Sequence, residues 1–141
     1  MVTRMTVTEN ICCTVVACSI QYEYKYRTMS VVPEGKAVVI YADKRGIEPF
    51  TKWFRSLKDK VVKARIRNRI SRLGFGNLGD YESVGEGVFE LRLFFGSGFR
   101  VYFAEYEETT IILLGGGDKK TQAKDILKAK NCWKKFKETM Q

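Results

Sequence analysis

The alternation of apolar and polar positions is sharpest in the stretch Phe89-Glu-Leu-Arg-Leu-Phe-Phe-Gly-Ser-Gly-Phe-Arg-Val-Tyr-Phe103. Phe89, Leu91 and Leu93 share one face of a strand, and Glu90 and Arg92 share the other. Beyond Gly96-Ser97-Gly98, Val101 and Phe103 alternate with Arg100 and Tyr102. A period of two on both sides of a glycine turn predicts a β-hairpin. A strand pair that buries one face must match its apolar sides, which excludes a one-residue slip in register. Glu90, Arg92, Arg100 and Tyr102 are therefore expected together on the side away from the core. In one allowed register Arg92 lies directly across from Arg100. Like charges with Cβ atoms about 5 Å apart repel unless an anion sits between them.

The same patterning places the other elements. Ala37–Tyr41 reads as a short strand, Asp43–Gly46 as a turn, and Pro49 as the first position of a helix. Phe50, Trp53, Phe54 and Leu57 follow at helical spacing. A second helix is predicted with Asp59 as N-cap and Val62, Ile66, Ile70 and Leu73 as its buried stripe. Gly74–Asp80 ends that helix with glycines and an asparagine, and Tyr81–Gly87 leads into the hairpin. Thr110–Leu114 is apolar on both faces, as an interior strand should be. Gly115–Thr121 reads as a loop, and a last helix over 121–137 carries Ala123, Ile126, Leu127 and Trp133 on its apolar side. The fold class is α+β: an N-terminal strand and two-helix hairpin, a mostly antiparallel three-strand run, then a C-terminal helix. Trp53, Phe54 and Trp133 are expected in the core.

Length and charge sharpen the picture. The 141 residues suffice for one domain with its own core, and the net charge of +9 points to a polyanionic partner. There is no histidine, the commonest general acid/base and metal ligand. Cys12, Cys13 and Cys18 crowd near the N-terminus, Cys132 stands alone, and no CxxC pair occurs. Neither a zinc site nor a disulfide framework is supported, and reduced thiols in a cytoplasmic protein are expected, with no metal and no cofactor.

Residues 1–35 differ in character from the rest. Ile11–Ile20 is apolar but too short to span a bilayer. Val15-Val-Ala-Cys18 resembles a lipoprotein cleavage box, yet only Arg4 supplies basic charge ahead of it and Glu9 opposes that charge. The segment reads as a disordered extension, or as an overrun upstream of a start at Met29, in preference to an export signal. Residues 36–141 form the domain, and no membrane association is expected.

Three groups could carry chemistry. Arg92 and Arg100, with Tyr102 and Glu90, could fork onto a phosphodiester; alternatively Glu90 and Glu105 neutralise the arginines in a surface ion-pair cluster. Gly115-Gly-Gly-Asp-Lys-Lys-Thr121 could bind an anion through free amides at a helix start, or be a turn capped by Asp118. It is not a Walker A loop, because lysine rather than glycine precedes Lys120-Thr121. Finally, Lys60, Lys63, Arg65, Arg67, Arg69 and Arg72 on one helix, and lysines 124, 128, 130, 134, 135 and 137 on another, could meet phosphates or an acidic protein. Any single one is more simply a solvated charge.

Five ordered stretches resemble the RelE/ParE/HigB superfamily of type II toxin–antitoxin toxins, most closely its phage-related addiction module killer branch. They are Arg65-Ile-Arg-Asn-Arg-Ile-Ser-Arg-Leu73, Gly76-Asn-Leu-Gly-Asp80, Val84-Gly-Glu-Gly-Val-Phe-Glu-Leu-Arg92, Gly98-Phe-Arg-Val-Tyr-Phe103 and Gly116-Gly-Asp-Lys-Lys-Thr-Gln122. The resemblance covers Lys36 to Phe136. It implies a RelE-like fold and a growth-inhibiting endoribonuclease that cuts translated messenger RNA on the ribosome. A small helix-turn-helix antitoxin would silence it. By the same resemblance Arg100 contacts the scissile phosphate, and Arg92 and either Lys119 or Lys120 supply further catalytic charge. Some members place a catalytic tyrosine near the start of the last helix, where this chain reads Ala123-Lys-Asp-Ile126.

RNA can be cleaved by its own 2′-hydroxyl, which leaves the protein to align the strand, stabilise charge and move protons. Arginine suits the charge task. Without histidine, proton transfer falls to Lys119 or Lys120, whose pKa clustered cations would lower, with Tyr102 or Glu90 as partner. Arg65, Arg69, Arg72 and Lys124 are the expected RNA contacts. The gyrase-poisoning branch shares the fold without the nuclease, so a non-enzymatic gyrase toxin is the alternative, and an inactive nucleic-acid- or antitoxin-binding module a third.

Overall fold

A computed structural model describes residues 28–30 and 35–141, so the reading of residues 1–27 lies outside the described residues. In chain order the elements are β1 (Thr28–Ser30), β2 (Ala37–Ile40), α1 (Pro49–Ser56), α2 (Lys60–Gly74), β3 (Tyr81–Gly85), β4 (Val88–Leu93), β5 (Phe99–Tyr106), β6 (Thr110–Gly117) and α3 (Gln122–Met140). The fold is α+β, as expected, and its element order is consistent with a RelE-like fold. One mixed sheet runs β1-β2-β6-β5-β4-β3, with β2 and β6 parallel and the other neighbours antiparallel. Thr28–Ser30 pairs with β2 from within the predicted extension. The three-strand run is in fact four strands: Tyr81–Gly85 forms an edge strand whose largely exposed residues carry little alternation to betray it.

Local signals set the helix ends. Pro49 opens α1, where its missing N–H costs nothing. The Asp59 carboxylate accepts from the Val61 and Val62 amides at 2.7 and 3.3 Å, capping α2 as predicted. Ile66, Ile70 and Leu73 are buried, with Val62 packed beside them.

Helices cover the sheet on both faces. On one face α1 and α2 enclose Val38, Ile40, Leu91, Leu93, Val101, Phe103, Ile111 and Leu113. On the other, Ala129, Trp133 and Phe136 of α3 close over Val39, Val88, Tyr102, Ala104, Ile112 and Leu114. This second core corrects the expectation from alternation, which placed that face of the hairpin away from the core. It also corrects the apolar side of α3. Leu127 is 69% exposed and Ala123 lies exposed as well, while Phe136 is buried. The Trp133 and Phe136 rings stack at 5.3 Å and set the rotation of the helix against the sheet.

The glycine run also differs from expectation. Gly115, Gly116 and Gly117 extend β6 and pair with Tyr102, Val101 and Arg100, so they form a strand end rather than an open loop. A register shift between Tyr102 and Phe103 reverses the faces here. Gly116 is required by close approach: a Cβ on it would sit 2.2 Å from Trp53 Cε3.

Candidate functional site

Register places the hairpin residues. Arg92 stands opposite Arg100, and Glu90 opposite Tyr102. The repulsion expected between the two arginines is relieved by the chain's own carboxylate. Glu90 is 1% exposed, and its Oε1 accepts from Arg100 Nε at 2.7 Å and lies 3.6 Å from Arg92 Nε. Gln122 Nε2, in the first turn of α3, donates to Glu90 Oε2 at 2.9 Å and lies 3.2 Å from Oε1. The buried charge is thus paired and hydrogen-bonded, the condition under which a carboxylate can leave water. Of the two readings of this cluster, Glu90 fits the ion-pair one, whereas Glu105 pairs elsewhere, with Lys36 at 2.9 Å.

Arg100 is held on two sides. Besides Glu90, its Nη1 donates to the Gly98 carbonyl at 2.7 Å. No hydrogen bond among the described residues engages Nη2, and the side chain is 14% exposed. Arg92 is more open, at 34%, and also pairs with Glu82. Its buried Nε makes no hydrogen bond among the described residues.

Tyr102 is fully buried beneath α3, and its hydroxyl has no hydrogen-bond partner among the described residues. Burial raises its pKa far above the ordinary tyrosine value, and the charges of Glu90 and Asp125 add to the effect. A folded-state pKa raised in this way stabilises the fold below the unfolded value near 10. That stability is lost as pH rises, because the unfolded phenol ionises first. Tyr102→Phe removes a buried hydroxyl that has no partner among the described residues, so it should leave stability unchanged or raise it by about 1–3 kcal/mol at neutral pH. Its advantage over the parent should widen above about pH 10. Denaturant midpoints across pH measure both; a less stable phenylalanine variant would mean that the hydroxyl is bonded.

The turn after β6 lies beside the hairpin turn. A Cβ built on Gly98 would lie 3.3 Å from Arg100 Nη1 and 3.6 Å from Lys119 Cβ. Asp118 Oδ1 accepts from the Lys120 and Thr121 amides at 2.9 and 3.2 Å, so the turn is capped by its own aspartate. Lys119 and Lys120 project from it, both exposed. Lys124 is exposed on the first turns of α3. Arg100, Lys119, Lys120 and Lys124 therefore gather at one end of the sheet.

The α2 arginines lie on the opposite layer. Arg69 donates to the Asn77 and Leu78 carbonyls at 3.2 and 2.7 Å, tying down the loop after α2. Burial, then the charge of Arg72, lowers its pKa. Arg65 sits over the Phe95 ring at 5.5 Å, and Arg72 is exposed. Sequence reasoning assigned no role to Gln122, and its position at the start of the helix was the available signal. Among the described residues no group of three cysteine, aspartate or glutamate side chains converges as a metal-ligand set.

Comparison with known proteins assigns the class. The sequence matches the family described as "Phage derived protein Gp49-like (DUF891)" over residues 52–134, more than half of the chain. An uncharacterized protein of Haemophilus influenzae is 52% identical over 81 residues, covering 57% of this chain and 82% of the relative. The chain belongs to the phage-derived Gp49-like family. That family is associated with toxins of toxin–antitoxin addiction modules, which implies an antitoxin partner. No solved structure matches the chain. Among the described residues no helix is long and apolar enough to cross a membrane.

Proposed function

We propose that this chain is the toxin of a type II toxin–antitoxin module, of the RelE superfamily and HigB-like, and acts as a metal-independent endoribonuclease on translated messenger RNA. Residues 36–141 would be its functional domain, the cytoplasm its compartment, and a small helix-turn-helix protein its antitoxin. One observation carries the reading: Arg100 is fixed by Glu90 and Gly98 O, with no hydrogen bond to Nη2 among the described residues, beside the turn that carries Lys119 and Lys120.

In this reading Arg100 receives a phosphate oxygen through its outer edge. A preorganised guanidinium stabilises the charge of a pentacoordinate phosphorus without reorganising at the moment of reaction. Arg92 adds field from the neighbouring strand. Lys119 and Lys120, exposed and beside the arginine, are the groups able to exchange protons with the 2′-hydroxyl and the leaving oxygen. Glu90 and Tyr102, closed off from solvent, take no proton from substrate; Glu90 is a positioning residue that aims Arg100. Lys124 and Arg65 extend the basic surface on either side, whereas Arg69 is committed to its loop and Arg72 stands at the far end of α2.

Induction of the chain without antitoxin should stop translation first, with new 5′ ends mapped inside translated messages. DNA breaks preceding any loss of translation would replace this reading with gyrase poisoning, and harmless induction would replace it with an inactive binding module.

A further inference from the structure

The surface of α2 facing away from the sheet has an order that the nuclease reading, which draws on Arg65 alone from this helix, does not use. Opposite the buried Ile66, Ile70 and Leu73 runs the series Val61, Ala64, Asn68, Ser71, Phe75, the last being the residue that caps the helix. Its spacing of three, four, three and four residues is the seam of a two-helix coiled coil. Val61 and Phe75 are 61% and 63% exposed at its ends, and Ala64, Asn68 and Ser71 are small between them. Small side chains in the middle let a second helix come close, and the apolar ends give it something to bury. The ridge is about 20 Å long.

Charge flanks the ridge on both sides. Lys60, Lys63 and Arg67 line one side, with Arg65 and Arg72 on the other, and α2 contains no acidic residue. None of these five cations forms an ion pair among the described residues. In a coiled coil the flanking positions choose the partner by charge, so an acidic helix is favoured and a second copy of this cationic face is repelled. Nucleic acid fits less well. Lys63 and Arg67 lie over the Phe54 ring, each at 5.7 Å, and Arg65 over Phe95. Those rings are thus covered rather than open for stacking on bases, and a phosphate backbone would leave Val61 and Phe75 in water.

We propose that this face of α2 docks an amphipathic helix of a partner protein, with small or apolar residues along its seam and glutamate or aspartate on both flanks. Such a helix would lie on the sheet layer opposite the Glu90–Arg100 cluster.

The test uses the full chain and a labelled three-heptad peptide with leucine at a and d and glutamate at e and g, read by fluorescence anisotropy. The control peptide carries lysine at e and g, and a polyuridine oligonucleotide represents nucleic acid. The acidic peptide should bind, the basic one should not, and the affinity should fall as salt rises from 0.1 to 1 M, where the screening length drops from about 10 to about 3 Å. Asn68→Glu on the ridge, and Lys63→Glu with Arg67→Glu on the flank, should each weaken binding at least about ten-fold while circular dichroism stays unchanged. Equal binding of both peptides, no binding of the acidic one, or affinity unaffected by these variants overturns the proposal. Polyuridine binding that the flank variants abolish, with no acidic-peptide binding, assigns the face to nucleic acid and overturns it too. No nuclease activity enters the measurement, so docking and cleavage fail independently.

Discussion

Arg100→Ala should abolish the growth inhibition proposed for this chain and also cost about 3–5 kcal/mol of folding stability, because it strands the Glu90 carboxylate in the interior without its closest cation. Loss of toxicity in this variant alone would therefore not separate chemistry from folding. Two companions do so. Arg100→Lys keeps the positive charge but cannot serve Glu90, the Gly98 carbonyl and a phosphate at once; it should fold and lose most toxicity. Arg100→Ala combined with Glu90→Gln removes the stranded charge, so it should regain part of the stability and none of the activity. Growth after induction and denaturant midpoints give the two readings. A folded Arg100→Lys chain as toxic as the parent would remove Arg100 from the proposed phosphate site.

Glu90→Gln carries the second large effect. The amide preserves shape and some hydrogen bonding, but removes the carboxylate that lies between Arg92 and Arg100. The expected loss is about 3–5 kcal/mol, the usual outcome when one partner of a buried pair is removed. The remaining repulsion reaches solvent through Arg92, so salt should partly restore the variant while leaving the parent nearly unchanged. Urea denaturation at 0.1 and 1 M salt reads both. A variant within about 1 kcal/mol of the parent and indifferent to salt would show that Glu90 does not hold the two arginines.

Several features of this site are legible in the chain's own pattern. Alternation around Gly96–Gly98 excludes odd shifts, since only even ones keep Leu91, Leu93, Val101 and Phe103 on one side, and the structure selects the allowed register with Arg92 opposite Arg100. Asp59 announces α2 because a carboxylate before an apolar stripe satisfies amides that nothing else can reach. The weakly patterned edge strand Tyr81–Gly85 is not legible, because a strand exposed on most positions selects no face. Gly115–Gly117 misleads, since glycine serves both open loops and strand ends that need close approach, and only the Trp53 ring against Gly116 tells them apart.

The sequence by itself determined most of the elements and confined the hairpin to registers related by even shifts, because these depend on periodicity and on residues close along the chain. It also held a hint of a doubly covered sheet in the two apolar faces of Thr110–Leu114. Only the tertiary structure decided that α3 covers the second face, that Tyr102 is sealed beneath it, and that the anion between Arg92 and Arg100 is Glu90 itself. The reason is physical. Alternation sends polar side chains to water by default, but a carboxylate flanked by two arginines and an amide from a distant helix can be buried. Gln122 lies 32 residues from Glu90 along the chain, and no local pattern announces that they will meet.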